Sequence, residues 1–392
     1  MSDKSGEIGF WGAWSMGVGG MIGGGIFSTL GVVIAASGHF AWAAFLLGGI
    51  IALAAAYCMS ALTADFGQSG GIYRFLRQLG YDRSAKIAAW ILIAGYTLTV
   101  AVYAYTFGAY LGNALGGPSW LPQAMAAAAI ALLAGVNLRS VGTASTFETL
   151  IVIMKLVILG GLAAMGLSKF DASRLDIASQ PGVTGILVGA ASVFMAYEGF
   201  EMLSYDYDEM KDRKRLIRKA MPIAVVTAIG VYIAVALAVP MLADTSEIIK
   251  DGEVALAKAG QDALGTAGLV AITIAAALST GSAINATLFS TARLAHDVAK
   301  EDELPELFEK TNSAGAPYVA ILLLSAAALA LALVGGLDSL VKGASFVFLA
   351  VFGVTSFIAL RHGIAHRGIA LFGTVGTLAA AIMLALHLAG VV

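Results

Sequence analysis

Long apolar stretches without a charged residue dominate the chain. A membrane-spanning helix needs about 20 mostly apolar residues. Residues 8–64 and 87–138 each hold two such lengths, divided by turn signals at Ser37-Gly38-His39 and Gly116-Gly117-Pro118. Single windows follow near 141–168, 177–205, 217–242, 263–292, 316–337, 340–360 and 368–391. The pattern predicts an all-α integral membrane protein with about eleven transmembrane helices, numbered here as spans 1 to 11.

Composition agrees with that prediction and narrows the partners. Of 392 residues, 59% are hydrophobic and 12% are charged, whereas roughly a quarter are charged in a soluble protein. The net charge of -2 gives no basic surface for nucleic acid, so we expect no nucleic-acid partner. A single cysteine, Cys58, excludes an internal disulfide and a cysteine metal cluster.

The distribution of basic residues predicts the orientation. Seventeen of the 23 lysines and arginines fall in one set of alternate segments, five fall in the other set, and Lys155 lies inside a span. The positive-inside rule therefore places the N-terminus in the cytoplasm, and eleven spans place the C-terminus outside. We expect a multi-pass protein of the cell membrane, surrounded by lipid.

Span 1 has an unusual concentration of glycine. Six glycines lie among residues 17–25, and each costs about 1 kcal/mol relative to alanine in a helix interior. We therefore predict that this segment unwinds, which a bilayer tolerates only where the backbone lines a cavity or is buried in protein. The alternative is close helix packing, through Gly19 with Gly23 and Gly20 with Gly24.

Span 6 carries two acidic residues within an apolar stretch. Glu198 and Glu201 flank Gly199 there, and charged groups at membrane depth are usually functional. The alternative is that the span ends earlier and both carboxylates are in water. Interrupted first and sixth spans are typical of two inverted five-helix repeats. The prediction is one transmembrane domain over 1–392, with repeats at about 8–168 and 177–361 and an extra helix at about 368–391.

These segments resemble the amino acid-polyamine-organocation (APC) permease superfamily, which has the leucine-transporter-type fold. The resemblance rests on four motifs in the expected order. They are Gly23-Gly24-Gly25-Ile26-Phe27, Gly70-Gly71-Ile72-Tyr73, Ala196-Tyr197-Glu198-Gly199-Phe200-Glu201 and the stretch from Arg293 through Asp302-Glu303-Leu304-Pro305 to Pro317. The chain differs in length, because many members have twelve spans.

The resemblance implies how a free amino acid would bind. Freed N–H groups at a half-helix start suit a carboxylate, and freed carbonyls suit an ammonium group. Backbone groups of Gly23, Gly24 and Gly25 would hold the carboxylate, and carbonyls of Met21, Met195 and Glu198 would hold the amine. Met195 stands where relatives often have a large aromatic gate, so Phe194 or Tyr197 would have to take that role. The predicted substrate-binding residues are Met21, Ile22, Gly23, Gly24, Gly25, Phe194, Met195, Tyr197 and Glu198.

Lys155 is the most informative single residue. It lies about fourteen positions from either end of span 5, or roughly 20 Å of helix, too far for its side chain to reach the surface. By resemblance to proton-coupled members, its amine replaces an ion between spans 1 and 8 and releases a proton, with Ser279 and Thr280 as capping hydroxyls. The alternatives are a permanently charged lysine bonded to span 1 carbonyls, and hydroxyls bonded to their own helix.

Three further groups are candidates for the pocket or a gate. Tyr96, Tyr103 and Ser345 are placed to line the pocket, although tyrosine is also a common packing residue. Arg74 and Arg77 are candidates for a gate ion pair with Asp206, Asp208 or Glu209. A solvated basic loop explains both arginines equally well.

The predicted function is secondary active amino acid transport by alternating access, coupled to protons by symport. The alternatives are an exchanger of amino acids or polyamines, a channel and a transporter-like sensor. An enzyme is disfavoured, since no HExxH, GxSxG or phosphate-loop pattern occurs, and we expect neither cofactor nor metal. Open points are the substrate, the oligomeric state, and whether Glu198 acts through its side chain or its backbone.

Overall fold

A computed structural model describes residues 8–139, 145–172 and 182–392. Lys4 and the predicted starts of spans 5 and 6 lie outside these residues. Within them the chain is helical, and its α-helices are numbered in chain order. They are α1 Phe10–Ser37, α2 Ala41–Phe66, α3 Gly71–Gln78, α4 Asp82–Leu115, α5 Leu121–Leu138, α6 Ser145–Ser168, α7 Gly182–Ser192, α8 Met202–Tyr205, α9 Arg213–Leu242, α10 Thr245–Lys250, α11 Ala255–Leu264, α12 Thr266–Ala299, α13 Tyr318–Val334, α14 Leu337–Arg361 and α15 Arg367–Leu388.

The number of spanning helices agrees with the prediction. Nine stretches of the described residues are long and apolar enough to cross a membrane, and the first, Phe10–Phe66, contains both α1 and α2. Helix α13 is apolar but has 17 residues, which is about 25 Å of helix. Counting α1 and α2 separately and adding α13 gives eleven helices. The all-α membrane fold is therefore confirmed, whereas the five-plus-five repeat stays a prediction.

The two spans predicted to be interrupted differ. Span 6 comprises α7, a 3-10 stretch at Val193–Glu201 and the short α8, so its predicted departure from α-helical geometry is present. Span 1 is a continuous α-helix over all 28 residues of α1, so its predicted unwinding is not seen. The glycines of α1 allow neighbouring backbones to approach closely, which is the packing alternative.

Helix α1 lies at the centre of the fold. It is buried over most of its length and packs against α6, α7, α9, α12 and the 3-10 stretch. The peripheral helices α5, α6 and α15 instead expose large apolar side chains outward, as at Leu132, Val157 and Val375. Outward apolar faces are typical of helices that lie among lipid tails. The residues of interest are therefore in the interior, where α1 meets 193–201.

Candidate functional site

The centre of the molecule is a backbone-to-backbone contact between α1 and the 3-10 stretch. A Cβ on Gly199 would lie 2.3 Å from the carbonyl carbon of Gly20, and a Cβ on Gly25 would lie 2.9 Å from the carbonyl oxygen of Ala196. No side chain fits at either position without displacing main chain. The two glycine-containing motifs of the sequence therefore meet each other.

The 3-10 stretch begins where a serine from α14 enters the helix ladder. Ser345 Oγ donates to the carbonyl oxygen of Ser192 at 2.6 Å and accepts the Met195 N–H at 3.0 Å. In a regular α-helix these two groups would bond to backbone four residues away. A side chain inserted in this way is a recognised cause of a helix bend. Ser345 thus gives the break in span 6 a specific cause.

A tyrosine from α9 joins α1 to the 3-10 stretch. The Tyr232 hydroxyl lies 2.6 Å from the carbonyl oxygen of Met21 and 2.9 Å from that of Ala196. A hydroxyl has one proton, so it serves one carbonyl at a time. Met21 is one of the predicted amine ligands, and its carbonyl is therefore engaged by Tyr232 in this arrangement.

The predicted carboxylate site lies inside a regular helix. Gly23, Gly24 and Gly25 are buried within α1, where backbone N–H groups bond to carbonyls four residues earlier. A Cβ on Gly24 would lie 2.0 Å from Cδ1 of Tyr103, so this ring rests directly on the glycine segment. Freed amides for a carboxylate would require α1 to change from the conformation described here.

The aromatic candidates lie on different sides of the 3-10 stretch. Phe194 packs on Phe352 of α14 with ring centroids 5.8 Å apart. Tyr197 donates its hydroxyl to the carbonyl oxygen of Phe45 in α2 at 2.8 Å. Ile22, Met195 and both aromatic residues are fully buried. The predicted substrate residues are thus brought together in a closed interior.

Lys155 reaches α1 from α6. Its side chain is 1% exposed, and its Nζ donates to the carbonyl oxygen of Gly19 at 3.0 Å. Thr280 bonds to the carbonyl of Ala276 in its own helix, as one alternative for the capping hydroxyls predicts. Ser279 Oγ is buried and has no hydrogen-bond partner among the described residues. Lys155 therefore links α6 to the residue that precedes the central glycine contact.

Both acidic residues of span 6 are buried. Glu198 and Glu201 are at most 1% exposed, so the alternative of wet carboxylates is not seen. Each accepts a hydrogen bond from a tyrosine of α4: Tyr103 donates to Glu198 at 3.3 Å and Tyr96 to Glu201 at 2.8 Å. In 3-10 geometry residues three apart eclipse each other, so both carboxylates lie on one face. The salt bridges of the described residues include neither.

Comparison with known proteins identifies the family of the chain. A family model described as amino acid permease matches residues 8–392. The chain belongs to the amino acid permease family. This permease is 32% identical to the inner membrane transport protein YbaT of Escherichia coli, covering 95% of this chain and 87% of the relative. It is 28% identical to the serine/threonine exchanger SteT of Bacillus subtilis, covering 90% and 82%. It is 27% identical to the human Asc-type amino acid transporter 1, covering 89% and 70%.

Membership of this family makes the protein a multi-pass membrane transporter and not an enzyme. The predicted resemblance is therefore confirmed over nearly the whole chain. The roles of the nine substrate residues and of Lys155, Ser279 and Thr280 stay predictions.

The turn between α2 and α3 of the permease, residues 67–70, lies against the end of span 6. Gly70 and Gly71 have φ of 127° and 60°, which L side chains rarely adopt. A Cβ on Gly71 would lie 3.0 Å from Glu201 Oε1 and 3.4 Å from the Tyr205 hydroxyl. The glycine pair thus permits both the turn and the close approach to Glu201.

The arginines of α3 pair with the end of α12 and not with the predicted acids. Arg74 pairs with Glu301, Arg77 pairs with Glu301 at 3.2 Å and with Glu303 at 3.3 Å, and Tyr73 donates to Glu301 at 2.7 Å. The predicted partners Asp206, Asp208 and Glu209 lie beyond α8, and Asp208 pairs with Arg213 instead. Both arginines therefore pair with the segment that follows α12, whereas the gate prediction had named acidic residues that follow α8.

This ion-pair cluster shifts the ionisation of its members. Burial tends to raise the pKa of Glu301, but the Tyr73 hydroxyl, Arg74 and Arg77 outweigh it and hold that pKa below its usual range. Burial and the hydrogen bond to Glu301 raise the pKa of Tyr73. Glu301 is therefore held in its charged form between the two arginines.

A cavity of about 270 Å³ lies beside this cluster. Its walls are the turn before α3, the first turn of α3, residues 205–208 and the last turns of α12. Charged residues of both signs line it, with Tyr205 among the lining residues. They are Arg74, Asp206, Asp208, Arg293 and Asp297.

Sequence reasoning missed two connecting residues. They are Tyr232 and Tyr205, which lie outside the four motifs that carry the family resemblance. A tyrosine within an apolar window is a weak signal, although a buried hydroxyl usually finds a polar partner. Glu301 belongs to the motif after span 8, but its partners became apparent only from the ion pairs between α3 and the segment that follows α12.

Proposed function

We propose that this permease is a secondary active amino acid transporter that couples substrate movement to protons by alternating access. The observation that carries the proposal is the buried amine of Lys155, which bonds to Gly19 immediately before the central contact of α1 with 193–201. An amine at this depth is costly unless it pairs or loses its proton. A site that gains and loses a proton beside the moving segments is suited to coupling.

The same contact supports an amino acid as substrate. Carbonyls of Met21, Met195 and Glu198 would receive the ammonium group, and amides of Gly23 to Gly25 would receive the carboxylate after α1 opens. The Tyr232 hydroxyl holds Met21 and Ala196 together in the closed arrangement. Substrate binding would replace that hydroxyl with the amine of the ligand.

Exchange of amino acids is the second candidate, favoured by the likeness to the serine/threonine exchanger SteT. We place the permease in the cell membrane with its N-terminus in the cytoplasm and its C-terminus outside. The positive-inside distribution of the basic residues supports this orientation.

The test is transport into liposomes under an imposed inward proton gradient, after a thermal-shift screen of the twenty amino acids and common polyamines selects the substrate. Wild type should accumulate substrate on the proton gradient and not on a sodium gradient. Lys155→Ala should lose this accumulation and keep exchange, because the amino acid contacts lie elsewhere.

Lys342→Ala is the matched control. Lys342 is also buried, at 8% exposure, but it pairs with Asp338 on α14, away from α1. This variant should accumulate substrate as wild type does. Accumulation by Lys155→Ala on a proton gradient, or a wild type driven by sodium, would contradict the proposed coupling.

A further inference from the structure

The carboxylates of Glu198 and Glu201 are only partly satisfied. Each accepts one tyrosine hydrogen bond of standard geometry, and Glu198 Oε2 and Glu201 Oε1 are buried oxygens without such a bond among the described residues. The Tyr205 hydroxyl is the polar neighbour of Glu201 Oε1. A buried ionised carboxylate needs a countercharge or several donors. A carboxylic acid needs fewer, because its proton makes one oxygen a donor.

Among the residues that the structure describes, none supplies the pair with a countercharge. The ionisable groups that face it are tyrosines: Tyr96 and Tyr103 from α4, Tyr205 from α8 and Tyr232 from α9. On α3, Arg74 is committed to Glu301. Two adjacent carboxylates without a cation cannot both ionise in such an interior, since each charge opposes the other. One proton at least must stay on the pair.

A polar route leads from the pair toward the cavity beside the Glu301 cluster. Glu201 Oε1 and the Tyr205 hydroxyl both lie within 3.4 Å of the position that a Cβ on Gly71 would occupy. Tyr205 is partly exposed and lines the cavity that also contains Asp206 and Asp208. Its hydroxyl makes no hydrogen bond of standard geometry among the described residues, and its polar neighbours are Glu201 and Tyr96. It is therefore available on the path between Glu201 and the cavity.

We propose that Glu198 and Glu201 form a proton-binding site separate from Lys155, and that Tyr205 relays its proton to the inner cavity. In the release step the O–H bond on Glu201 breaks as Tyr205 accepts that proton, and Tyr205 gives its own phenolic proton to water in the cavity. The pair gains one negative charge and the tyrosine ends unchanged. The inference does not depend on the transported substrate or on Lys155.

Infrared spectroscopy of the purified full chain tests the proton directly. A protonated carboxylic acid gives a carbonyl stretching band that ionised, exposed Asp and Glu do not give at neutral pH. We expect this band in wild type, a change in its position or intensity in Glu198→Gln and in Glu201→Gln, and its loss in the double variant. Glu301→Gln is the control and should leave the band unchanged, because Glu301 is ion-paired.

Absence of the band from wild type, or its survival in the double variant, overturns the site. The wild-type measurement needs no variant and stays decisive if a substitution prevents folding. For the relay, Tyr205→Phe should keep the band but slow its shift after transfer into deuterated buffer. Tyr207→Phe, in the same segment, should not. Equal exchange rates in Tyr205→Phe and wild type overturn the relay. None of these readouts requires transport, so they are independent of the proposed coupling through Lys155.

Discussion

The two segments that meet at the centre respond differently to similar sequence signals. The glycine segment of α1 has six glycines in residues 17–25 and stays α-helical, whereas Val193–Glu201 has one glycine and adopts 3-10 geometry. Residues 193–201 are buried, as are all of residues 17–25 except the partly exposed Gly20, and the two segments lie against each other. Glycine content therefore does not decide where the helix breaks.

The difference follows from whether a side chain of a neighbouring helix only donates to the backbone or also accepts from it. In α1, Lys155 and Tyr232 bond to carbonyls of Gly19 and Met21, which can accept a second bond without losing the helical one. In span 6, Ser345 takes both a carbonyl and an N–H from the ladder. Removal of an N–H from its helical partner breaks the ladder, and addition to a carbonyl does not.

The contact between the two segments should be the feature most sensitive to substitution. Gly199→Ala would place a Cβ 2.3 Å from the Gly20 carbonyl carbon and 2.5 Å from the Met21 nitrogen, both main-chain atoms of α1. Overpacking a core costs about 1–3 kcal/mol and occasionally more, and we expect the upper end here. The measurement is the thermal unfolding midpoint in detergent.

Gly281→Ala is the matched control for this substitution. Gly281 lies in α12, and the nearest atom to its added Cβ is 3.8 Å away, on Phe107. Alanine favours a helix over glycine by about 1 kcal/mol, so this variant should be at least as stable as wild type. Equal midpoints for Gly199→Ala and wild type would show that the two backbones are not in contact.

Removal of the inserted serine should have the next largest effect. Ser345→Ala leaves the Met195 N–H and the Ser192 carbonyl without their side-chain partner. An unsatisfied buried group costs about 1–3 kcal/mol, so we expect a lower unfolding midpoint and weaker substrate binding. Ser325→Ala is the control, since Ser325 Oγ is buried without a hydrogen-bond partner among the described residues. Similar unfolding midpoints for the two variants would show that Ser345 is not the cause of the bend.

The sequence predicts those features that depend on local pattern. Eleven helices follow from the apolar windows, because bilayer thickness sets a minimum length. The interior position of Lys155 follows from its distance to both ends of span 5. The meeting of the glycine segment with 193–201 was expected through the family resemblance. None of these requires knowledge of which side chains touch.

The remaining features depend on the register between distant helices. Ser345 lies 153 positions from Ser192 and Tyr232 lies 211 positions from Met21. A shift of one residue would turn either side chain by about 100° around its helix. The break in span 1 was therefore mispredicted from glycine content. The pairing of Arg74 and Arg77 with Glu301 was not predicted.

The Tyr232 hydroxyl, which links the two segments, should affect substrate affinity more than the stability of the protein. Tyr232→Phe removes a hydroxyl worth about 1 kcal/mol and frees the Met21 carbonyl. If the substrate amine uses that carbonyl, its apparent affinity should rise by up to about fivefold. Tyr110→Phe, which loses a hydrogen bond to the carbonyl of Phe27 in α1, should leave affinity unchanged. Thermal-shift titration with the selected amino acid measures both, and unchanged affinity in Tyr232→Phe would exclude competition at Met21.

The smallest expected effect concerns the end of the 3-10 stretch that leads into α8. The Glu301 cluster holds α3, and with it Gly71, against Glu201 and Tyr205. Because the pKa of Glu301 is lowered on folding, its stabilising contribution is present above the unfolded value of about 4.3 and is lost as pH falls through the folded value. Partly exposed pairs contribute about 0.2–1 kcal/mol each.

Hydrogen–deuterium exchange at neutral pH separates the two segments. Glu301→Gln should speed amide exchange in residues 202–205 and leave the exchange rate of residues 17–25 of α1 unchanged. The reason is that α3 approaches span 6 at residues 201–205. In wild type the unfolding midpoint should be lower at pH about 4 than at neutral pH, and this decrease should be smaller in Glu301→Gln. Glu306→Gln, an exposed residue of the following loop, serves as the control for both measurements. Faster exchange in α1 as well would mean that the cluster stabilises the whole centre and not the 3-10 stretch alone.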